Sequence, residues 1–274
     1  GLKPLKLNKM RVLFILLMSC LLSVAVQAQD VAVQDAYLAR SFVSKQGDTL
    51  LYRILYPENY DRSKKYPLVL FLHGAGERGN DNLKQLTHGA SMFLEDEMRK
   101  QYPAIVVFPQ CPADRYWIDI SIRKQLRTGE DIAFNGVFAP PVREQELLDA
   151  LHRHLIKTES VDKKRLYIMG LSMGAMGTFE MLARHPKRFA AAVPICGGGN
   201  VESTFRYAKH TALWITHGTL DDVVKVEFSR RMYEALKLAG ADVRYTEFPE
   251  ANHNAWDPTF AMPDLIPWLF SKRR

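Results

Sequence analysis

The chain has 274 residues, 47% of them hydrophobic, enough to bury a full core in one α/β domain. The formal net charge of +7 is misleading, because removing residues 1–28 leaves 33 basic against 30 acidic residues, a balance of +3. No Lys/Arg stripe remains to suggest nucleic acid, and no CxxC or HExxH spacing suggests a metal or cofactor.

Lys3, Lys6, Lys9 and Arg11 precede an apolar run from Val12 to Leu22, and Val26-Gln27-Ala28 offers a small-residue cleavage site before Gln29. This pattern predicts a secretory signal peptide over residues 1–28, with Met10 as a later start that would leave a tidier one. The apolar run is too short for a stable membrane span. Leu17-Met18-Ser19-Cys20 loosely resembles a lipoprotein cleavage box, but Leu21–Val26 beyond the cysteine is still apolar. The expectation is cleavage after Ala28, a secreted or periplasmic location, and one catalytic domain over residues 29–274 that keeps only Cys111 and Cys196.

Tyr37–Lys45 and Thr49–Tyr56 read as an opening hairpin turned at Gln46-Gly47-Asp48. Tyr66–Leu72 is a near-continuous apolar run, expected as a central parallel strand, and it ends in His73-Gly74-Ala75-Gly76-Glu77-Arg78-Gly79. Asn82–Lys100 carries helical periodicity, Ala104–Phe108 reads as the next strand, and residues 113–141 as irregular loop. Val142–Lys157 is a predicted helix whose acidic start and basic end match the macrodipole, with His152-Arg153-His154 read as a solvated face.

The strand Leu166–Met169 then runs into Gly170-Leu171-Ser172-Met173-Gly174, with a helix predicted over Met173–Arg184. Strands at Ala190–Ile195, Ala212–Thr216 and Val243–Phe248, with helices at Lys225–Ala239 and Pro263–Phe270, complete the chain. Strands alternating with helices mean a mostly parallel sheet with crossovers, an α/β fold.

G-x-S-x-G between a strand and a helix is the nucleophile-elbow pattern, in which glycines let strand and helix approach and the serine projects from a strained turn. Alone it is weak. Two later stretches, in the expected order, give it weight. His217-Gly218-Thr219-Leu220-Asp221-Asp222-Val223-Val224 comes after one strand, and Asn252-His253-Asn254-Ala255-Trp256 after the last. A serine hydroxyl needs an imidazole to accept its proton, and the imidazole needs a carboxylate to fix its tautomer. Ser172 is therefore the expected nucleophile, His253 the general base and then acid, and Asp221 the orienting acid. Asp222 is the competing acid and would suit capping the helix near Lys225. The expected oxyanion donors are the backbone N–H groups of Met173 and Ala75. His73 reads as a loop anchor beneath them.

These motifs, together with Pro109-Gln110, Trp117, Val161-Asp162, Phe189–Ile195 and His253-x-x-Trp256, resemble one branch of the α/β hydrolases. That branch groups secreted carboxylesterases and predicted serine peptidases. It is similar to dienelactone hydrolases, feruloyl and acetyl-xylan esterases and polyhydroxybutyrate depolymerases. The resemblance runs over roughly residues 36–272. It implies an α/β-hydrolase fold and a cofactor-free Ser-His-Asp hydrolase of carboxylic esters, on small-molecule or carbohydrate-linked substrates. A peptidase with the same triad is the second reading, and an idle hydrolase-fold binding protein the third. The chain departs from the branch at Gly174-Ala175, where many relatives carry Gly-Gly, and in the long 113–141 segment. Trp117, Trp256 and Tyr116 are candidates for an aromatic wall around a sugar or phenolic ring. The strands preceding Cys111 and Cys196 should be separated by two other strands, about 14 Å at ~4.8 Å per strand spacing, too far for a disulfide.

Overall fold

The computed structural model describes Ile15, residues 31–119, Phe134 and residues 136–274. Apart from Ile15, the predicted signal peptide with Cys20 lies outside the described residues, as does the 120–133 part of the irregular segment. The described residues form eight strands: β1 (Leu38–Val43), β2 (Thr49–Leu55), β3 (Tyr66–Leu72), β4 (Ile105–Gln110), β5 (Val161–Leu171), β6 (Ala191–Ile195), β7 (Ala212–Gly218) and β8 (Val243–Phe248). They form one sheet in the order β1-β2-β4-β3-β5-β6-β7-β8. β2 pairs antiparallel with both β1 and β4, and every other pair is parallel.

Apolar continuity explains the middle of the sheet. All seven residues of β3 are buried, as a strand covered on both faces requires. Leu68, Leu70 and Leu72 enter one core layer, with side chains of the helices Arg143–Thr158, Met173–Arg184 and Glu227–Leu238. Val69 and Phe71 enter the other, with the C-terminal helix Leu265–Ser271. The order of strands also places the site. From β3 the chain first steps outward to β4 and then returns to β5 on the other side of β3. The loops leaving β3 and β5 therefore part from each other at their C-terminal ends and open a crevice there.

Two expectations are corrected. Asn82–Lys100 is not one helix but two 3-10 turns, Lys84–Leu86 and Ser91–Leu94, and a short helix, Asp96–Gln101. Gly89 breaks it: its φ is +83°, and a Cβ there would sit 2.8 Å from the Phe71 ring. His152 is not solvated but fully buried, its ring 5.0 Å from that of Phe189, while Arg153 and His154 are exposed. The short helix Trp256–Phe260 and the 3-10 turn Val201–Arg206 carried no clear signal in the sequence. Cys111 and Cys196 are buried free thiols beyond β4 and β6, with β3 and β5 between those strands.

Candidate active site

Ser172 stands between β5 and the helix Met173–Arg184 with φ 53° and ψ −118°, a backbone state that an L-residue holds only when its surroundings enforce it. Its N–H donates to Ile195 O at 2.8 Å, and its carbonyl accepts from Ala175 and Met176. The flanking glycines are dictated by backbone contact. A Cβ on Gly174 would lie 2.0 Å from Leu72 O, and one on Gly170 would lie 2.2 Å from Gly174 O. Ala175 fits because Gly197 opposes it, where a Cβ would come within 2.5 Å of the alanine methyl.

The loops after β7 and β8 bring the other two groups to the serine. His253 Nε2 lies 2.9 Å from Ser172 Oγ, and His253 Nδ1 lies 2.7 Å from Asp221 Oδ2. A carboxylate facing Nδ1 demands the proton there, which leaves the Nε2 lone pair for the hydroxyl. Asp221 Oδ1 accepts the backbone N–H groups of Val223 and Val224, both at 2.9 Å. Burial alone would raise the Asp221 carboxyl, but hydrogen bonds from His217, His253 and the Val224 N–H overcome it and hold the group well below the usual carboxylate range. Asp222, the competing acid, is exposed, and its N–H faces Asn252 Oδ1 at 3.4 Å.

His217 was visible only as part of a motif. Its Nε2 lies 3.1 Å from Asp221 Oδ2, and its Nδ1 lies 2.7 Å from Ser229 Oγ. Ser229 in turn donates to Gly197 O at 3.0 Å. This fully buried imidazole ties the acid to the helix Glu227–Leu238. Gly218 closes the arrangement, since a Cβ there would lie 2.2 Å from Asn252 O, and Leu220 N–H donates to Ala251 O at 3.0 Å.

On the other side of Ser172 the loop after β3 is held largely through backbone groups, among them Ala75 O, which accepts from Arg78 Nε at 2.8 Å. His73 Nδ1 donates to Gly74 O at 2.6 Å, and its Nε2 accepts the Cys111 N–H at 2.9 Å. Burial pushes its pKa down to about 4. Gln110 is buried and braces the same loop, donating to Asp81 Oδ1 at 2.8 Å and accepting from Asn82 N–H at 2.7 Å. Ala75 opens the 3-10 turn Ala75–Glu77, and Met173 opens the helix after Ser172, so both N–H groups belong to first turns. Gly74 brings the loop close, for a Cβ there would sit 3.6 Å from Ser172 Cβ.

Of the aromatic candidates, Trp117 is corrected. It is 0% exposed, packs where a Cβ on Gly177 would meet it at 2.8 Å, and donates its indole N–H to His73 O at 3.2 Å. It is a support beneath the loop and not a wall. Trp256 is half-buried, and its ring stands edge-on to His253 at 5.6 Å. Tyr116 is half-buried beneath the Arg78 guanidinium, 4.1 Å from its ring centre.

An eight-stranded, mostly parallel sheet with a strained serine at this turn defines an α/β hydrolase, and the chain belongs to that superfamily. Within it, the phospholipase/carboxylesterase family profile matches residues 135–263, somewhat under half of the chain. A solved thermostable esterase is 35% identical, with TM-score 0.79, covering 89% of this chain and 64% of that one. Carboxylesterase SOBER1 of Arabidopsis thaliana is 25% identical over 206 residues, 68% of this chain and 82% of its own. An uncharacterized secreted protein of Arthroderma benhamiae is 26% identical over 227 residues, 71% of this chain but 22% of its own length. The chain thus spans less than two thirds of the secreted protein and of the thermostable esterase. No helix among the described residues is long and apolar enough to cross a membrane.

Proposed function

We propose that the chain is a serine hydrolase that cleaves carboxylic esters through an acyl-enzyme. The observation that carries this is the continuous path from Ser172 Oγ through the His253 ring to Asp221, at 2.9 and 2.7 Å. His253 Nε2 takes the Ser172 proton as Oγ attacks the ester carbonyl. Asp221 stabilises the imidazolium, and the N–H groups of Met173 and Ala75 receive the negative oxygen. The imidazolium then protonates the departing alcohol, and a water activated by the same ring releases the acid. The esterase relatives support the ester in preference to the amide. A sugar or phenolic ring seated beside Trp256 is the substrate class we favour. Export through the 1–28 segment belongs to the same reading, supported by the secreted relative.

The test is turnover of p-nitrophenyl acetate, butyrate and ferulate by the purified chain, with labelling by a serine-directed fluorophosphonate. Turnover and labelling that both vanish in Ser172→Ala are the expected result. Wild-type turnover in that variant sinks the reading, and peptide cleavage in place of ester cleavage would make the chain a peptidase.

A further inference from the structure

Cys196 takes no part in the acyl transfer, yet it lies against the groups that perform it. It follows β6 with φ 45°, its N–H donates to Thr216 O at 2.8 Å, and it is fully buried. Its sulfur, a carboxylate oxygen of Asp221 and a ring nitrogen of His253 all lie within 4.8 Å of one another. Thiolate, imidazole and carboxylate together are the donor set of thiophilic, tetrahedral divalent ions, and harder cations such as Mg²⁺ prefer oxygen alone.

We propose that Cys196, Asp221 and His253 form a binding site for a thiophilic divalent cation of the Zn²⁺ or Cd²⁺ type, and that its occupancy switches the active site off. The binding stands on the geometry. The switching rests on the ester-hydrolase reading.

The distances suit such an ion. Metal bonds of about 2.0–2.3 Å in a tetrahedron set the donor atoms roughly 3.3–3.8 Å apart. With Asp221 Oδ2 and His253 Nδ1 as ligand atoms, their 2.7 Å contact opens by about half an ångström to admit the ion. Asp221 keeps Oδ1 on its two backbone N–H groups and offers the second lone pair of Oδ2, which also faces His217 Nε2 at 3.1 Å. The His253 side chain is 19% exposed and the Asp221 side chain 0%, so the ion enters past the imidazole.

Protons and charge both balance. The thiol releases one proton to solvent and binds as thiolate. The dication then meets two anions and a neutral ring, a set without net charge. His253 stays neutral, but its Nδ1 lone pair now binds the ion, so its ring proton moves to Nε2 through solvent. A ring protonated at Nε2 has no lone pair to accept the Ser172 proton, and the nucleophile is left inactive.

The test titrates the full chain with Cd²⁺ alone, following the ultraviolet thiolate-to-cadmium charge-transfer band and, separately, p-nitrophenyl ester turnover. The expected result is a band that saturates at one ion per chain, turnover lost in parallel, and both effects reversed by a chelator. Cys196→Ala should lose the band and need at least ~10-fold more Cd²⁺ for inhibition, the smallest loss typical even of groups that merely support a ligand. Cys196→Ser, which keeps the shape of the side chain, should also lose the band and serves if the alanine variant fails to fold. Cys111→Ala should behave as wild type, and Asp221→Asn, followed by the band alone, should bind more weakly. No band in the wild type overturns the proposal. So does a band that persists in Cys196→Ala, inhibition of that variant at the wild-type Cd²⁺ concentration, or a band that disappears with Cys111. A chain that shows the band but turns over no ester keeps the metal site and loses the hydrolase reading.

Discussion

The two sides of Ser172 are built from different forces. On one side, the loop His73–Gly79 is held through backbone groups: the His73 ring lies between two of them, the Gln110 amide donates to Glu77 O, the Arg78 guanidinium to Ala75 O, and the Trp117 indole to His73 O. On the other, a buried carboxylate faces two imidazoles, at 2.7 and 3.1 Å. In the proposed mechanism the difference matches what each side has to do. Backbone donors for an oxyanion need only be held still, and hydrogen bonds to backbone groups do that with neutral and charged donors alike. A base that cycles between imidazole and imidazolium needs a permanent negative charge beside it, and burial makes that charge expensive unless several donors surround it.

The comparison can be broken from its strong side first. Ser172→Ala and His253→Ala should each lower kcat by on the order of 10⁵–10⁶, with circular dichroism unchanged, since the glycines and not the hydroxyl set the turn. Asp221→Asn should cost about 10⁴ in kcat, because the ring loses its imposed tautomer. Asp222→Asn should leave kcat within about twofold, as exposed side chains outside the proton path usually do. If Asp222 proves the more sensitive of the two, the acid has been assigned to the wrong neighbour.

The backbone-held side should yield smaller effects of another kind. Gln110→Ala frees the loop that carries Ala75 and should lower kcat by roughly 10–100-fold, the scale of a small misplacement or a lost oxyanion donor, with KM little changed. A KM effect alone would mean that Gln110 shapes the substrate pocket instead. The smallest effect concerns pH. The folded pKa of His73 is about 4 against an ordinary 6.5, so between these values the unfolded chain takes up a proton that the folded chain refuses. Stability is therefore full above pH 6.5 and falls as pH drops toward 4. His185, lowered to about 4 mainly by burial, acts in the same direction. His73→Gln should flatten the fall in Tm across that window without abolishing it. An unchanged slope would show that this ring is not the proton-refusing group.

Much of the scaffold was legible in the sequence because short-range chemistry agreed with the final packing. β3, β8 and the helix Met173–Arg184 begin and end where their apolar runs and flanking glycines place them. β4 runs on to Gln110 because Pro109 pairs opposite Tyr52 on β2, a partner that local sequence does not reveal. Asn82–Lys100 has a true local periodicity that Gly89 overrides, since Phe71 leaves room there only for bare backbone. His152 was within reach: it lies four residues after Leu148 and three before Leu155, on the buried face of its helix. Trp117 was not, because its burial depends on space that Gly177 provides 60 residues further on. The site was legible in its three chemical groups and their order. The second imidazole was not, because one sequence gives no reason to separate His217 from its motif.

The contact at Gly218 governs what can be done with this site. With Asn252 O pressed against that residue and Leu220 bonded to Ala251, the loop bearing the acid and the loop bearing the base are latched to each other. They should drift together during thermal motion, so that the Asp221–His253 distance stays short even when both loops shift relative to the serine. A graft of this machinery onto another sheet would have to carry residues 217–224 and 248–256 as one piece, with a glycine at the point of contact.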